Sequence, residues 1–367
     1  MTSAVTLRAV TLLVPGGLSL SSGRYRYDRQ IVSGLRALGW EVDVELLDSS
    51  FPDPTDEALA QAARMLADRR DHAIVMIDGL ALGAMPELVE RVAHRMTVVG
   101  LVHHLLAAET GLESSAAAAV AGREGRALRA ATGLVASSFG TARAIAGYGV
   151  PRQRIAVALP GTDAAPRAEG SRNRAGARRS TPVELLCVGS LIPRKGHDAL
   201  FDAVADLRLL PWHLTCVGSD LVAPGTAAAL REQIDISGLT ESITLSGEID
   251  DASLERAYQK ADVFVLATRH EGYGTTVAEA LARGIPVVST MAGAIPELVG
   301  FGAGAIVPID DTAALAAALE PIVTDHTERA GLAAGALTQA AALPSRADTA
   351  QAVSDALVVF AAPENSR

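Results

Sequence analysis

Short runs of Val, Leu and Ile alternate with Ala-rich helical stretches along the whole chain, and this alternation limits the folds open to it. Candidate strands fall at Leu7–Val14, Val42–Leu47, Ala73–Ile77, Thr97–Val102 and Gly133–Ala136. Between the first two, Tyr27, Ile31, Leu35 and Leu38 share one face at helical spacing, and Gly39 is placed to end that helix. After a break the pattern restarts at Val183–Val188, His213–Val217, Ile243–Ser246, Val263–Leu266, Val287–Thr290 and Ala305–Val307. Runs without polar alternation suit parallel strands covered by helices on both faces. At roughly 100–200 residues per domain, 367 residues accommodate two such halves. The expected architecture is α/β: two Rossmann-like domains, each with a parallel sheet, and a ligand cleft between their strand carboxyl ends. The break, Ala164 to Pro182, holds Arg167, Arg172, Arg174, Arg178 and Arg179 among Gly, Ser and Pro without apolar periodicity. It reads as a linker or surface loop rather than a basic binding patch. The expected boundaries are 1–165, a linker at 166–182, 183–345, and a C-terminal segment 346–367. The helix expected in that last segment, near Thr349–Phe360, could cross back onto the first domain.

Composition removes several function classes. The 32 Lys and Arg against 42 Asp and Glu leave a net charge of −10, which argues against general nucleic-acid binding and against adsorption to anionic lipid. Arg24, Arg26 and Arg29 beside Tyr25 and Tyr27 make a peripheral membrane contact conceivable, but the charge favours packing of that face on its own sheet. Two cysteines rule out a disulfide-dense scaffold, and neither stands in a metal-ligand spacing. The longest apolar stretch, Ala73 to Met85, is broken by Asp78 and is too short to span a bilayer. The run Ala9–Val14 before Pro15-Gly16-Gly17 reads as a first strand and not a signal, so a cytoplasmic protein is expected. Neither half's first strand leads into Gly-x-Gly-x-x-Gly, which weighs against a nicotinamide enzyme.

The densest constellation runs from Arg269-His270-Glu271-Gly272-Tyr273-Gly274-Thr275-Thr276 to Glu279 and on to Gly284-Ile285-Pro286. It follows a strand and opens a helix, where glycines expose backbone N–H groups that suit a phosphate or a sugar hydroxyl. Thr275 or Thr276 is placed to cap that helix. Glu271 and Glu279 either accept hydrogen bonds from sugar or ribose hydroxyls, or are a solvated loop residue and a helix-start residue. In Gly189-Ser190-Leu191-Ile192-Pro193-Arg194-Lys195-Gly196-His197, the adjacent cations could hold a diphosphate or simply face solvent. His197 reads as a helix cap. In the first half, Gly16-Gly17 and Ser21-Ser22-Gly23 surround the loop after the first strand, and His103-His104 follow the strand Thr97–Val102. Glu109 lies nearby, without a pattern that supports a metal.

Together these features resemble the retaining glycosyltransferases of family 4. Glu271 through Glu279 is similar to that family's Glu-x7-Glu motif, and Val188-Gly189 through Arg194-Lys195-Gly196 to its donor-phosphate loop. Pro160-Gly161-Thr162-Asp163 and Ala292-Gly293-Ala294-Ile295-Pro296-Glu297-Leu298-Val299 extend the likeness, which is strongest from about Val183 to Val307 and weaker before it, where Gly16-Gly17, Tyr27-Asp28 and His103-His104 carry it. The resemblance implies a GT-B fold and transfer of a hexose-type sugar from a nucleoside-diphosphate sugar to a hydroxyl acceptor, with retention and without a metal or other cofactor. The acceptor class extends over small molecules, glycans and lipid-linked sugars. It implies that Arg194 and Lys195 grip the diphosphate, Glu279 binds the ribose and Glu271 contacts the donor sugar. Gly272, Tyr273, Gly274, Thr275 and Thr276 then cover sugar and phosphate, while Gly189, Ser190, Gly218, Glu248 and Ile249 line the donor pocket. Gly16, Gly17, Tyr27 and one of His103 and His104 approach from the acceptor side. One position departs: Ser190 stands where the family often has Arg. The competing readings are a nucleotide-sugar epimerase or hydrolase on the same fold, and a nucleotide-sugar-binding protein without transfer activity.

Overall fold

The computed structural model describes residues 8–16, 23–108, 113–171 and 181–362. The chain divides into two compact units, Met1–Gly161 with Pro344–Arg367, and Thr162–Leu343. Gly17, Ser21, Ser22, Glu109, Arg172, Arg174, Arg178 and Arg179 lie outside the described residues.

The first unit is built on β1 (Ala9–Pro15), β2 (Glu41–Leu47), β3 (Ile74–Asp78), β4 (Thr97–Val102), β5 (Gly133–Ala136) and β6 (Ile155–Val157), in the order β2-β1-β3-β4-β5-β6. Every pairing is parallel. Its helices are α1 (Gly23–Ala37), α2 (Asp56–Ala67), α3 (Gly79–Leu82), α4 (Pro86–Val92), α5 (Ser114–Ala130), α6 (Phe139–Gly147) and α14 (Arg346–Ala361). The second unit holds β7 (Val183–Val188), β8 (Trp212–Val217), β9 (Ile243–Leu245), β10 (Val263–Leu266), β11 (Val287–Thr290) and β12 (Gly304–Val307), in the order β12-β11-β10-β7-β8-β9 and again all parallel. Its helices are α7 (His197–Ala205), α8 (Pro224–Ile236), α9 (Asp251–Lys260), α10 (Thr275–Ala282), α11 (Ile295–Val299), α12 (Thr312–Thr324) and α13 (His326–Ala340).

Alternate side chains of each strand feed opposite faces, so one sheet supports two cores. On β1, Leu13 joins the cluster beneath α2, α4 and α5, whereas Leu12 and Val14 join the cluster made by α1 and α14. In that second cluster Val353, Leu357 and Phe360 of α14 meet Tyr27, Ile31 and Leu35 of α1. Gly133 on β5 has no room for a side chain because the Phe360 ring occupies it. Thr349 Oγ1 donates to Leu159 O at 2.7 Å and Trp40 Nε1 to Ser354 Oγ at 2.9 Å, which fixes the helix along its length.

Several local expectations are corrected. The α1 face ends with Leu35, because the helix stops at Ala37 and Leu38 is exposed, while Gly39 takes the left-handed conformation (φ +84°) that a helix terminus of this kind requires. Tyr25 and Tyr27 are buried in the unit, with Tyr25 Oη donating to Pro15 O at 2.8 Å, so this face packs on its own sheet. Outside it, Arg26, Arg29, Arg36 and Arg346 line an open groove of about 660 Å³. No helix among the described residues is long and apolar enough to cross a membrane. Residues 168–171, expected in the linker, are tied into the second unit. Ala168 N donates to Arg283 O at 2.9 Å and Ser171 N to Asp262 Oδ1 at 3.0 Å, so these backbone donors are satisfied there.

Leu357 is fully buried between α1 and the sheet. Leu357→Ala is therefore expected to destabilise the first unit by about 2–5 kcal/mol, and calorimetric unfolding should show that unit melting early while the second keeps its transition.

Candidate functional site

In the second unit the strand order reverses between β7 and β10, and loops leaving the carboxyl ends of neighbouring strands part at such a point. The loop after β7 is Gly189–Gly196, and the loop after β10 is Ala267–Gly274. These are the two constellations singled out in the sequence, and the fold sets them side by side.

Lys195 Nζ and the Glu271 carboxylate form an ion pair across the two loops, both mostly withdrawn from solvent. The Lys195 stem lies over Gly189, at 3.2–3.4 Å from the position a Cβ there would take, so glycine lets the lysine cross. Arg194 Nη1 donates to His270 O at 2.9 Å, and Arg194 O accepts from Arg269 N at 2.8 Å and lies 3.0 Å from Thr268 Oγ1. Burial alone would raise the Glu271 carboxyl, but the Lys195 and Arg194 charges and the Lys195 hydrogen bond hold it below its ordinary value. Glu271 is thus an ionised carboxylate whose charge is cancelled locally. Its backbone is fixed as well. A Cβ on Gly293 (φ +55°) would fall 1.6 Å from Glu271 O, so only glycine permits this approach.

Gly274, left-handed at φ +98°, is the N-cap of α10, and no side chain caps that terminus. The expectation for Thr275 and Thr276 is corrected: Thr275 is the first helical residue, because the cap position is left-handed and glycine takes it, with Ile295 and Leu298 packed against it. The first-turn N–H groups of α10 thereby form a positive terminus without a side-chain cap, beside the half-buried Gly272. Tyr273 is buried and its hydroxyl has no hydrogen-bond partner among the described residues, and burial pushes its pKa up to about 12. Glu279, two turns from Glu271's loop, is half-buried and accepts from Tyr258 Oη at 2.9 Å. That ring is covered in turn by the Arg283 guanidinium at 4.5 Å.

Gly218 N donates to Gly247 O at 2.9 Å and Gly189 N to Val217 O at 2.8 Å, so the turns after β7, β8 and β9 form one rim. Ser190 and Ile249 are half-buried on it and Glu248 is exposed. His197 is not a cap: Gly196 is, and His197 lies in the interior with its ring edge to Phe201 at 6.2 Å. Sequence reading gave no role to Arg269. Its guanidinium holds Asp198 at 2.7 Å, Asp310 at 2.7 Å and Pro193 O at 2.6 Å, bracing the cation loop against β10. Its place at the head of the motif run was the available signal.

The site residues of the first unit gather at that unit's own reversal, between β1 and β3. Gly16 turns the chain out of β1 (φ +70°), its N–H on Leu47 O at 3.0 Å. Tyr27, expected on the acceptor side, is instead a core residue. Its hydroxyl is spent on Ala158 O at 2.5 Å, and its ring meets His103 edge-on at 5.4 Å. His103 Nε2 lies 3.1 Å from Asp28 and 3.4 Å from Asp78, two fully buried carboxylates; Asp28 carried part of the family resemblance in the sequence, but neither was given a role at the site. Burial opposes the charged imidazole, but the two acids overcome it and bring His103 up to about 9. His104 is half-buried on the Glu124 side, where the Glu124 carboxylate accepts from Leu106 N at 2.7 Å and Ala107 N at 3.3 Å.

Residues 182–325 match the family model described as glycosyl transferases group 1. That match covers most of the second unit. The Glu271–Glu279 motif and the Gly189–Gly196 loop both fall inside the glycosyltransferase domain so defined. Mannosylfructose-phosphate synthase of Agrobacterium fabrum is 31% identical over 172 residues, 43% of this chain and 37% of that protein. D-inositol 3-phosphate glycosyltransferase of Kineococcus radiotolerans is 30% identical over 217 residues, 53% of this chain and 49% of that protein. The chain thus spans about half, or less, of the length of these curated relatives. A solved structure of sucrose-phosphate synthase from Thermosynechococcus elongatus superposes with a TM-score of 0.81 at 20% identity, over 97% of this chain and 100% of that one. The fold is GT-B, as the resemblance implied.

The His103 cluster yields a pH test. A raised native pKa stabilises the fold fully below the unfolded value of 6.5, and that contribution is lost as pH rises through about 9. The first unit is expected to lose stability between pH 7 and pH 10, by about 2–3 kcal/mol at most. His103→Gln should flatten that slope in unfolding titrations.

Proposed function

We propose that the chain is a retaining glycosyltransferase of the family 4 type. It would move a hexose from a nucleoside-diphosphate sugar to a hydroxyl acceptor, with no metal ion in the transfer step. The observation that carries the reading is the Lys195–Glu271 pair beside the α10 N-terminus. A carboxylate next to a diphosphate would ordinarily repel it. Here Lys195 and Arg194 cancel that charge and leave Glu271 free to accept hydrogen bonds from sugar hydroxyls. Glu279, oriented by Tyr258, suits the two hydroxyls of a ribose.

In the proposed step the bond from the sugar's anomeric carbon to the β-phosphate oxygen breaks. The acceptor oxygen bonds that carbon on the same face, and its proton passes to a phosphate oxygen. Negative charge grows on the leaving diphosphate, where Arg194, Lys195 and the α10 N–H groups stabilise it without rearranging. In the first unit, His103, held charged by Asp28 and Asp78, supplies a fixed cation rather than a base at neutral pH. The names of the three relatives above each carry a phosphate, so phosphorylated sugars and polyols form the first acceptor panel.

Thermal unfolding with UDP, GDP, ADP and TDP tests the donor site. One nucleotide at about 100 times its dissociation constant is expected to stabilise the protein by about 2.7 kcal/mol, and Lys195→Ala should lose that shift and lower turnover by orders of magnitude while staying folded. No shift with any nucleotide, or near wild-type turnover in Lys195→Ala, overturns the assignment. Donor consumption without acceptor would instead indicate an epimerase or hydrolase. A nucleotide shift with no donor consumption across the panel would indicate a binding protein, the reading that Ser190 favours.

A further inference from the structure

The two cysteines, which stand in no metal-ligand spacing along the sequence, come together in the second unit. β7 and β8 pair in parallel with Cys187 directly opposite Cys216, so both thiols point to the same side of the sheet. His197, the first residue of α7, reaches the same spot, with Nε2 3.7 Å from Cys187 Sγ. The three donor atoms lie within 4.8 Å of one another, and all three residues are buried. Gly196 makes this possible. It is left-handed (φ +64°) and so close to Ala267 O that a side chain could not fit, and it turns His197 in under the loop.

We propose that Cys187, His197 and Cys216 form a buried binding site for a thiophilic closed-shell cation, Zn²⁺ in the first instance, which ties together the two feet of the Gly189–Gly196 loop. Tetrahedral zinc with sulfur at about 2.3 Å and nitrogen at about 2.0 Å places neighbouring donors roughly 3.5–3.8 Å apart, and the Cys187–His197 separation already falls in that range. Charge balance points the same way. Two thiolates, a neutral imidazole and a divalent cation sum to zero, the combination that costs least inside a protein. Sulfur and imidazole donors select zinc or cuprous copper over magnesium or calcium. Both thiols are buried. Binding would release their protons. The ion would be structural and outside the transfer chemistry. Cys187 precedes Gly189 by two residues and His197 directly follows Gly196, so it would fix the stretch that carries Arg194 and Lys195.

The test uses the full chain, reduced and stripped with a chelator, titrated with Co²⁺. The expected result is one equivalent bound per chain, with a thiolate-to-cobalt charge-transfer band and the visible bands of a tetrahedral ion, displaced by Zn²⁺. Cys187→Ser and Cys216→Ser should each lose the band, and His197→Gln should weaken binding at least tenfold. Saturating Zn²⁺ should raise the melting temperature of the wild type by about 5 °C and leave Cys216→Ser unchanged. His103→Gln serves as the control, because the Asp28, Asp78 and His103 cluster offers only oxygen and nitrogen donors and gives no thiolate band. Absence of the band in folded, reduced wild type overturns the proposal without recourse to any variant. So does a band that survives in both cysteine variants, or a Cys187–Cys216 disulfide in the protein as isolated. None of these readouts depends on a nucleotide sugar being the substrate.

Discussion

Lys195 and Glu271 are 76 residues apart in the chain, and they meet because β7 and β10 are neighbours where the strand order of the second sheet reverses. Every strand points the same way, so each loop that leaves a carboxyl end rises on the same side, and at the reversal adjacent loops lead off in opposite directions. The ion pair bridges that gap. Around it, Arg269 clamps the cation loop to the end of β10, and Gly293 lets the chain after β11 press on the Glu271 carbonyl. Remove one partner and a charge stays behind in a space most of which is closed to water, which is why such pairs are costly to break from one side.

The first unit solves a similar problem with the opposite sign. Two fully buried carboxylates, Asp28 on α1 and Asp78 at the end of β3, share one imidazole from the residue after β4. Asp78 is also held by Leu80 N at 2.8 Å, which makes it the N-cap of α3. The scaffold therefore keeps His103 charged at neutral pH, and Tyr27 supports the ring from the core instead of facing a ligand.

The strands were legible because both faces of a parallel strand are buried, and the resulting Val, Leu and Ile runs stand out. β6 escaped for another reason: although Ile155-Ala156-Val157-Ala158-Leu159 is an apolar run, the strand is a three-residue edge whose residues are only half-buried. The cation loop and the Glu271 loop were legible as motifs, since glycines and charges crowded into a strand-to-helix turn contrast sharply with the apolar runs on either side. What stayed hidden depends on register or on packing between elements. Cys187 and Cys216 become neighbours only when β7 and β8 align, and no spacing rule along one segment sees that. The cap of α10 went to Gly274 and not to a threonine because the backbone there is left-handed (φ +98°), with Ile295 and Leu298 packed close against it. Asp78 looked like an interruption of an apolar run until the fold gave it His103 and a helix terminus.

The return of α14 to the first unit has a consequence for synthesis. The second unit is one uninterrupted stretch, Thr162–Leu343, whereas the first draws on both sides of it. On a ribosome the second sheet is complete before residues 346–361 exist. Until then the apolar surface formed by Tyr27, Ile31, Leu35 and Val135 lacks the helix that covers it. The earlier-made half is thus the later to mature, and in that interval its uncovered face is a natural place for a chaperone to act.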